Sequence, residues 1–154
     1  MSDAVIFDPP AIFDPPAIFD PGTVAVGDVL PALDVHVTRE RVVRYSGAST
    51  DLNPIHFSDR HAQAIGLPGV VAHGMWTMGT ALRVVTDWCQ DPARVRSYFV
   101  RFTRPIQVPD DDEGLLVHFG GTVTAVADGV ATIALEANCG DDKVLGAVKV
   151  EVAL

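Results

Sequence analysis

Apolar residues recur at two spacings along this chain of 154 residues, and each spacing predicts a different kind of element. Within residues 74–88 they recur every three to four positions, at Met75, Met78, Leu82 and Val85. This spacing predicts a long amphipathic helix with those four side chains on its buried face. Gly79 lies inside the helix, where glycine costs about 1 kcal/mol relative to alanine. We therefore expect the backbone to pack closely at that position.

Elsewhere apolar and polar residues alternate, which is the period of a β-strand with one buried face. The alternating segments are residues 34–38, 95–102, 115–124, 131–137 and 143–153. Turns with hairpin composition lie at residues 127–129 and 140–142. Thr38 and Ser58 can each cap a shorter helix, over residues 39–46 and 59–64. One long helix and several antiparallel strands predict an α+β fold in which the sheet wraps around the helix.

The first 22 residues contain a repeat with a period of six. Ile6-Phe7-Asp8-Pro9-Pro10-Ala11 recurs at residues 12–17 and, in part, at residues 18–22. Paired prolines remove backbone donors and favour extended conformations. We expect an extended or disordered tail over residues 1–22 and a single domain over residues 23–154. The repeat is interpreted either as a tandem duplication without function or as a docking tail anchored by its phenylalanines.

Composition excludes several classes of protein. The net charge of −9 argues against a nucleic-acid surface, which needs clustered positive charge. No segment reaches the roughly 18 uncharged apolar residues that cross a bilayer, and no basic segment followed by an apolar one begins the chain. Cys89 and Cys139 lack metal-like or redox-like spacing. We expect a cytoplasmic protein that contacts neither nucleic acid nor membrane.

The run Asp51-Leu52-Asn53-Pro54-Ile55-His56 sets a carboxylate and an imidazole five residues apart. A helix would place these two side chains about 140° apart, whereas Asn53-Pro54 favours a turn. The turn can bring Asp51 and His56 together, and such a pair is suited to proton transfer near neutral pH. Asn53 is interpreted as a loop former that bonds the backbone through its amide.

His73 and Gly74 come directly before the long apolar run. The free N–H of Gly74 at the start of a helix can stabilise an anion. Together with the acid/base pair, this indicates chemistry beside a carbonyl, whose oxygen becomes enolate-like in the transition state. His73 is interpreted as a residue that positions the helix start. A metal site of Asp51, His56, His61 and His73 has no recognised ligand spacing, so we expect neither metal nor cofactor.

Arginines are grouped near the predicted strand at residues 95–102. They are Arg94, Arg96, Arg101 and Arg104. One interpretation is the solvated charged face of a strand. The other is a binding surface for an anionic carrier, either the phosphates of coenzyme A or an acidic acyl carrier protein, since the arginine fork suits phosphate and carboxylate.

Three segments carry a resemblance: residues 45–56, Val71-Ala72-His73-Gly74-Met75, and Phe102-Thr103-Arg104-Pro105-Ile106. Together they resemble the MaoC-like hydratases and dehydratases of the hot-dog fold. The resemblance covers about residues 26–154. Within the family, the chain is similar to the β-hydroxyacyl-ACP dehydratase subunits of the HadB type in mycobacteria. One departure from the family pattern is the acidic run at residues 110–113, which would repel an acidic carrier unless it points away.

The resemblance implies reversible syn addition of water to a trans-2-enoyl thioester, which gives an (R)-3-hydroxyacyl thioester. Asp51 and His56 would then hold the water and move protons, and the Gly74 N–H would bind the thioester carbonyl. The substrate-binding residues that we expect are Asn53, His73, Met75, Trp76, Met78, Arg101 and Arg104. The expected partners are an acyl-ACP or acyl-CoA substrate and a second hot-dog subunit, in a homodimer or a heterodimer.

The leading function from the sequence is a 3-hydroxyacyl-thioester dehydratase or enoyl hydratase, acting on acyl-ACP in type II fatty-acid or related lipid synthesis. An (R)-specific enoyl-CoA hydratase has the same chemistry and is an open alternative. A third alternative is a non-catalytic thioester-binding or scaffolding subunit of a heterodimer. The presence of both Asp51 and His56 argues against that third alternative, because a scaffold needs no proton-transfer pair.

Overall fold

The computed structural model describes residues 19–154, and the repeat within residues 1–18 lies outside them. In chain order the elements are strand β1 (Val29–Val37), helix α1 (Arg39–Ser49), helix α2 (Asp59–Ala64), helix α3 (Gly74–Cys89), and strands β2 (Val95–Phe102), β3 (Leu115–Ala127), β4 (Val130–Cys139), β5 (Asp142–Lys143) and β6 (Leu145–Ala153). Every helix and strand that the periodicity predicts is present. None of the helices within residues 19–154 is long and apolar enough to span a membrane.

The strands form one antiparallel sheet in the order β1-β3-β4-β6-β2, with β5 beside β4. Helix α3 packs against β1, β2, β3 and β4, so the sheet wraps around the helix as predicted. Gly121 of β3 lies at the closest approach. A β-carbon there would lie 3.2 Å from Val84 Cγ1 on the helix and 2.8 Å from Leu135 Cδ2, so a larger residue would push the helix off the sheet.

The buried face of α3 differs from the predicted one. Its buried residues are Thr77, Thr80, Ala81, Val84, Val85 and Cys89. Met75, predicted to be buried, is 61% exposed, whereas Met78 and Leu82 are half-buried. A β-carbon on Gly79 would meet no atom within 4 Å, so the prediction of close backbone packing there was wrong.

Two threonines account for the difference between the predicted and the observed buried face of α3. The Thr77 hydroxyl donates to the His73 carbonyl at 3.3 Å, and the Thr80 hydroxyl donates to the Trp76 carbonyl at 2.8 Å. Each hydroxyl is therefore satisfied one turn earlier in the same helix, and the threonine methyl groups can pack against the sheet. A hydrophobicity pattern counts threonine as polar and therefore places the buried face too close to Met75.

Residues 19–22, which the sequence assigns to the tail, contact the domain in the structure. The Phe19 ring meets Trp88 edge-on with 4.7 Å between centroids, and the Arg94 guanidinium lies 5.2 Å from the centre of the same ring. The Asp20 carboxylate accepts the Gly22 N–H at 2.9 Å and caps a short turn. The packed part of the chain therefore includes Phe19.

We expect Phe19→Ala to lower the free energy of unfolding by about 1–2 kcal/mol, because the ring is half-buried and a fully buried phenylalanine costs about 3–5 kcal/mol. Urea unfolding of the full chain measures this loss. Phe13→Ala is the matched control, since it makes the same change one repeat earlier, and the proposed tail boundary predicts little effect there. Equal losses for the two variants would contradict the assignment of Phe13 to a tail.

Candidate active site

The Asp51 loop is folded by successive side-chain-to-backbone bonds. Helix α1 ends where Thr50 adopts a left-handed conformation, with φ of 60°. The Asp51 Oδ1 atom then accepts the Asn53 N–H at 3.2 Å, and Asn53 Oδ1 accepts the Ile55 N–H at 3.3 Å. Such turns are typical of Asp and Asn, and they confirm Asn53 as a loop former. A single turn of 3-10 helix, Pro54–His56, completes the loop.

The loop brings Asp51 and His56 to the same side, as the sequence predicts. The Asp51 Oδ2 atom lies 3.8 Å from His56 Nε2, too far for a direct hydrogen bond. His56 is 7% exposed, and the Asp51 side chain is half-exposed. The Nδ1–H of His56 donates to the Val71 carbonyl at 2.7 Å, so in the neutral ring Nε2 is the nitrogen without a hydrogen, and it faces the carboxylate. A water or hydroxyl group can bridge the two side chains.

His73 supports this pair from the start of α3. Its ring stacks on His56 with 3.6 Å between centroids, and Tyr45 contacts its other side edge-on. The His73 Nε2–H faces the Ser46 hydroxyl at 3.2 Å and the Asp51 carbonyl at 3.4 Å. Within the described residues, the buried Nδ1 of His73 has no hydrogen-bond partner. Burial, and secondarily the nearby His56, lower the pKa of His73, so the ring is held neutral.

Gly74 is the first residue of α3. Among residues 19–154 its N–H has no hydrogen-bond acceptor, as expected for the first turn of a helix. The Phe102 ring covers this position, because a β-carbon on Gly74 would lie 3.2 Å from Phe102 Cε1. Because the Gly74 N–H has no acceptor within the described part of the chain, it is available to an oxygen atom that enters beside the Phe102 ring.

His56 and Gly74 border a cavity of about 380 Å³, which we call the His56 cleft, whereas Asp51 and His73 do not line it. Its lining is mostly apolar: Ile55, His56, Leu67, Val71, Ala72, Gly74, Thr77, Phe102, Thr103, Arg104, Pro105, Ile106, Val144 and Leu145. The volume lies within the range of ligand pockets, roughly 300–1,000 Å³. An apolar substrate can therefore place a polar reacting group next to His56 and Gly74.

The expected substrate-binding residues fall into two groups. His73 contacts the acid/base pair, and Arg104 lines the His56 cleft. The others do not line this cleft: Asn53, Met75, Trp76, Met78 and Arg101. The sequence did not predict three of the lining residues. Thr77 was missed because a hydrophobicity pattern counts threonine as polar. Ile55 and Leu67 were missed because the loops that carry them have no periodicity.

The grouped arginines and the acidic run also separate in the structure. Arg94 donates to the Ala153 carbonyl at 3.1 Å, and Arg104 pairs with Asp142 at 2.9 Å. The acidic residues 110–112 line a different depression, together with Thr38 at the start of α1. The acidic residues 110–112 are therefore not part of the lining of the cavity that His56 borders.

Asp51, His56 and His73 offer ligand atoms that lie within 4.8 Å of one another. A zinc ion would need imidazole lone pairs that converge at about 2.0–2.1 Å. The two rings are stacked with 3.6 Å between centroids and 22° between planes, so their in-plane lone pairs lie in two nearly parallel planes and do not converge on one ion. The His73 Nε2 also already faces Ser46 and the Asp51 carbonyl. The donor set suits a hydrogen-bonded acid/base site better than a metal centre.

The sheet wrapped around α3 defines a hot-dog domain, and the comparisons show its family. The family described as MaoC like domain matches residues 23–139, and the chain belongs to that family. It is 35% identical over 79 residues to 3-hydroxyacyl-thioester dehydratase X of Mycobacterium tuberculosis, which covers 51% of this chain and 27% of that protein. The chain therefore spans about a quarter of the length of that relative.

A second relative is matched over most of its length. The 3-oxo-4,17-pregnadiene-20-carboxyl-CoA hydratase beta subunit of Mycobacterium tuberculosis is 32% identical over 108 residues, covering 70% of this chain and 80% of that subunit. A solved MaoC-like dehydratase has a TM-score of 0.84 and 33% identity, covering 90% of this chain and 43% of that one. The hot-dog fold expected from the resemblance is confirmed.

The buried His73 makes the stability of the fold depend on pH. Its pKa is lowered on folding from the ordinary value of 6.5, so the unfolded chain binds this proton more readily. The contribution of neutral His73 to the free energy of unfolding is complete above pH 6.5. This contribution is lost as the pH falls through the lowered pKa of the folded state. We expect the urea-unfolding free energy to fall from about pH 7 to pH 5, and to fall less steeply in His73→Asn.

The control for this prediction is His61→Asn, which makes the same change at an exposed histidine. This variant should follow the pH dependence of the unmodified chain. Identical slopes for His73→Asn and the unmodified chain would show that His73 does not carry the effect.

Proposed function

We propose that this chain is a hydro-lyase that adds water to trans-2-enoyl thioesters and removes it from (R)-3-hydroxyacyl thioesters. The observation that carries the proposal is the 3.8 Å gap between Asp51 Oδ2 and His56 Nε2 beside an apolar cleft that His56 and Gly74 both line. Membership of the MaoC-like family supports it, as do relatives named as a dehydratase and a hydratase.

In the hydration direction, the water lies between the two side chains. His56 Nε2 accepts one proton as the water oxygen bonds to C3, and the imidazolium returns that proton to C2. A single base that acts on one face gives syn addition, and the elements of water are fully accounted for. Asp51 holds the water and stabilises the imidazolium through its negative charge. The bond from His56 Nδ1 to the Val71 carbonyl supports this role, because it leaves Nε2 free to accept.

The Gly74 N–H provides for the charge that develops on the thioester oxygen. As the C3–O bond forms, the carbonyl becomes enolate-like, and a fixed donor at a helix N-terminus stabilises that charge without reorganising. Gly74 and His56 both line the His56 cleft. One substrate can therefore contact the donor with its carbonyl and the base with its β-carbon.

The substrate that we favour is acyl-ACP in type II fatty-acid or related lipid synthesis, with acyl-CoA as the alternative. A relative named as a 3-hydroxyacyl-thioester dehydratase supports a thioester substrate on either carrier. The acidic residues 110–112 line a separate depression and are not among the residues that line the His56 cleft. Both cysteines are free thiols, which suits a cytoplasmic location.

We further propose that the chain pairs with a second hot-dog subunit, identical or related. Strand β2 is an edge of the sheet, and its Phe99 and Phe102 are 62% and 50% exposed. An unprotected apolar edge strand invites pairing with another chain. A relative named as a beta subunit supports a heterodimer as one form of this pairing.

Asp51→Asn and His56→Gln should each lower turnover at least about a hundredfold, the scale of a lost acid/base group. The loss of enoyl thioester absorbance measures turnover on enoyl-CoA and enoyl-ACP substrates. Asp51→Asn keeps an oxygen for the Asn53 N–H, so the loop should persist. The controls are Asp34→Asn and His118→Gln, which alter the exposed Asp–His pair of β1 and β3 at 2.7 Å and should retain full turnover.

Wild-type rates in Asp51→Asn or His56→Gln would refute the catalytic assignment. If the unmodified chain turned over none of the substrates, it would be either a non-catalytic subunit or one half of a heterodimer whose partner is missing. Activity regained on adding a related hot-dog subunit would separate those two cases.

Gly74→Pro should lower turnover by about a hundredfold or more relative to Gly74→Ala, the scale of one lost oxyanion donor. Proline removes the N–H yet is favoured at the first helical position, and His73 already has the extended conformation that proline requires before it. Gly74→Ala keeps the N–H and places a similar β-carbon against Phe102. Equal turnover in the two variants, with helix content unchanged by circular dichroism, would argue against the role of this N–H.

A further inference from the structure

A second cleft lies beside the His56 cleft and shares a wall with it. It has a volume of about 360 Å³, and its own lining includes Pro68, Leu115 and Cys139. We call it the Cys139 cleft. The residues that line both clefts are Arg104, Pro105, Ile106 and Val144. Nothing in the proposed chemistry uses the Cys139 cleft, which lies on the far side of this shared wall from His56.

The shared wall is held at its two ends. At one end the Thr103 hydroxyl donates to the Lys143 carbonyl at 2.7 Å. At the other end the Ile106 carbonyl accepts the Ala72 N–H at 2.9 Å. Only two residues lie between these bonds, so any opening between the clefts would form at that two-residue span.

The two middle residues of the wall, Arg104 and Pro105, are weakly tied. The Arg104 N–H is 3.5 Å from the Val144 carbonyl, which is a long contact, and Pro105 has no N–H to donate. The Arg104 side chain pairs with Asp142 at 2.9 Å, but both side chains are more than half exposed. Exposed ion pairs contribute little to stability. A ligand can therefore displace the Arg104 side chain at small cost.

We propose that the Cys139 cleft holds the far end of a long acyl chain, which reaches it from the His56 cleft past Arg104 and Pro105. This inference rests on the proposed function, because it assumes a thioester in the His56 cleft. The two clefts share the buried side chains of Ile106 and Val144, which are 4% and 2% exposed. Together with Pro68 and Leu115 they form the apolar part of a lining whose other members include Gln107 and Asp142, and this apolar part suits hydrocarbon better than the amides of a pantetheine arm.

The volumes of the two clefts agree with an acyl chain that occupies both of them. Each of them lies near the lower end of the range for ligand pockets, roughly 300–1,000 Å³. The His56 cleft alone suits a short acyl group, and the two in sequence suit a longer one. The wall at Arg104 and Pro105 thereby becomes the determinant of chain-length preference.

Cys139 reports occupancy of its cleft without any catalysis. The full chain is labelled with a maleimide at alkaline pH, since burial, and secondarily Asp142, raise the pKa of the Cys139 thiol. Intact mass and peptide mapping follow the reaction. Cys89 is 3% exposed and is the internal reference for the folded state. The ligands are lauroyl-CoA, butyryl-CoA and desulfo-coenzyme A, none of which the proposed reaction can consume; desulfo-coenzyme A lacks the thiol that would itself react with maleimide.

We expect lauroyl-CoA at ten times its Kd to slow the labelling of Cys139 about tenfold, because only unoccupied protein reacts. Butyryl-CoA and desulfo-coenzyme A should leave the rate unchanged, although calorimetry should show that butyryl-CoA binds. Protection by desulfo-coenzyme A would overturn the inference and assign the cleft to the carrier arm. Binding of lauroyl-CoA without protection would overturn it while leaving the proposed function intact. Failure of both thioesters to bind would overturn the proposed function and the inference with it.

A matched pair of variants tests the route. Leu115→Trp should fill the Cys139 cleft and abolish protection by lauroyl-CoA. Leu116→Trp makes the same change at the next residue of β3, where the side chain is 47% exposed, and should keep the protection. Equal protection in the two variants would contradict the proposed path. If Leu115→Trp does not fold, the comparison of chain lengths on the unmodified protein decides the question.

Discussion

The stacking of His56 on His73 is the contact on which the rest of the site depends. It joins the Asp51 loop to the first turn of α3 at a ring distance of 3.6 Å. His73 also contacts Ser46 of α1 and the Asp51 carbonyl, so three separate elements meet on one ring. Because this ring is buried and its pKa is lowered, it can support His56 without competing for the proton that His56 transfers in the proposed reaction. The same residue directly precedes Gly74, so one backbone position sets both the proposed base and the proposed anion-binding N–H.

The sheet gives this arrangement its rigidity. Helix α3 is held within the sheet, and its threonines satisfy their hydroxyls inside the helix, so its buried face packs as an apolar one. Gly121 lets the helix lie close to β3. A helix packed this tightly keeps its N-terminus at a fixed distance from the loop that carries Asp51. Preorganised donors are effective because they need no movement when charge develops.

Much of the fold and the centre of the site could be predicted from the sequence, because both depend on local rules. Alternation predicted the strands, and Thr38 predicted the start of α1 through its bond to the Arg41 N–H. The Asn53-Pro54 turn predicted that Asp51 and His56 converge. The buried face of α3 and the lining of the His56 cleft could not be predicted in the same way. They depend on contacts between distant segments, such as Phe102 over Gly74, that no local pattern records.

One long-range network connects helices α1 and α2 to His56, the proposed catalytic base. Arg39 of α1 donates to the Val108 carbonyl and to the Asp59 carboxylate, and that carboxylate accepts the Val70 N–H at 2.9 Å. The bond from Val70, followed by that from Arg39, lowers the pKa of Asp59. These bonds fix the segment next to Val71, whose carbonyl accepts the His56 Nδ1–H. The protonation pattern of His56 is therefore set by backbone geometry, and that geometry depends on an ion pair between α1 and α2. The Val71 carbonyl fixes the orientation of the His56 ring by accepting the Nδ1–H. The free Nε2 is thereby directed by the protein backbone alone.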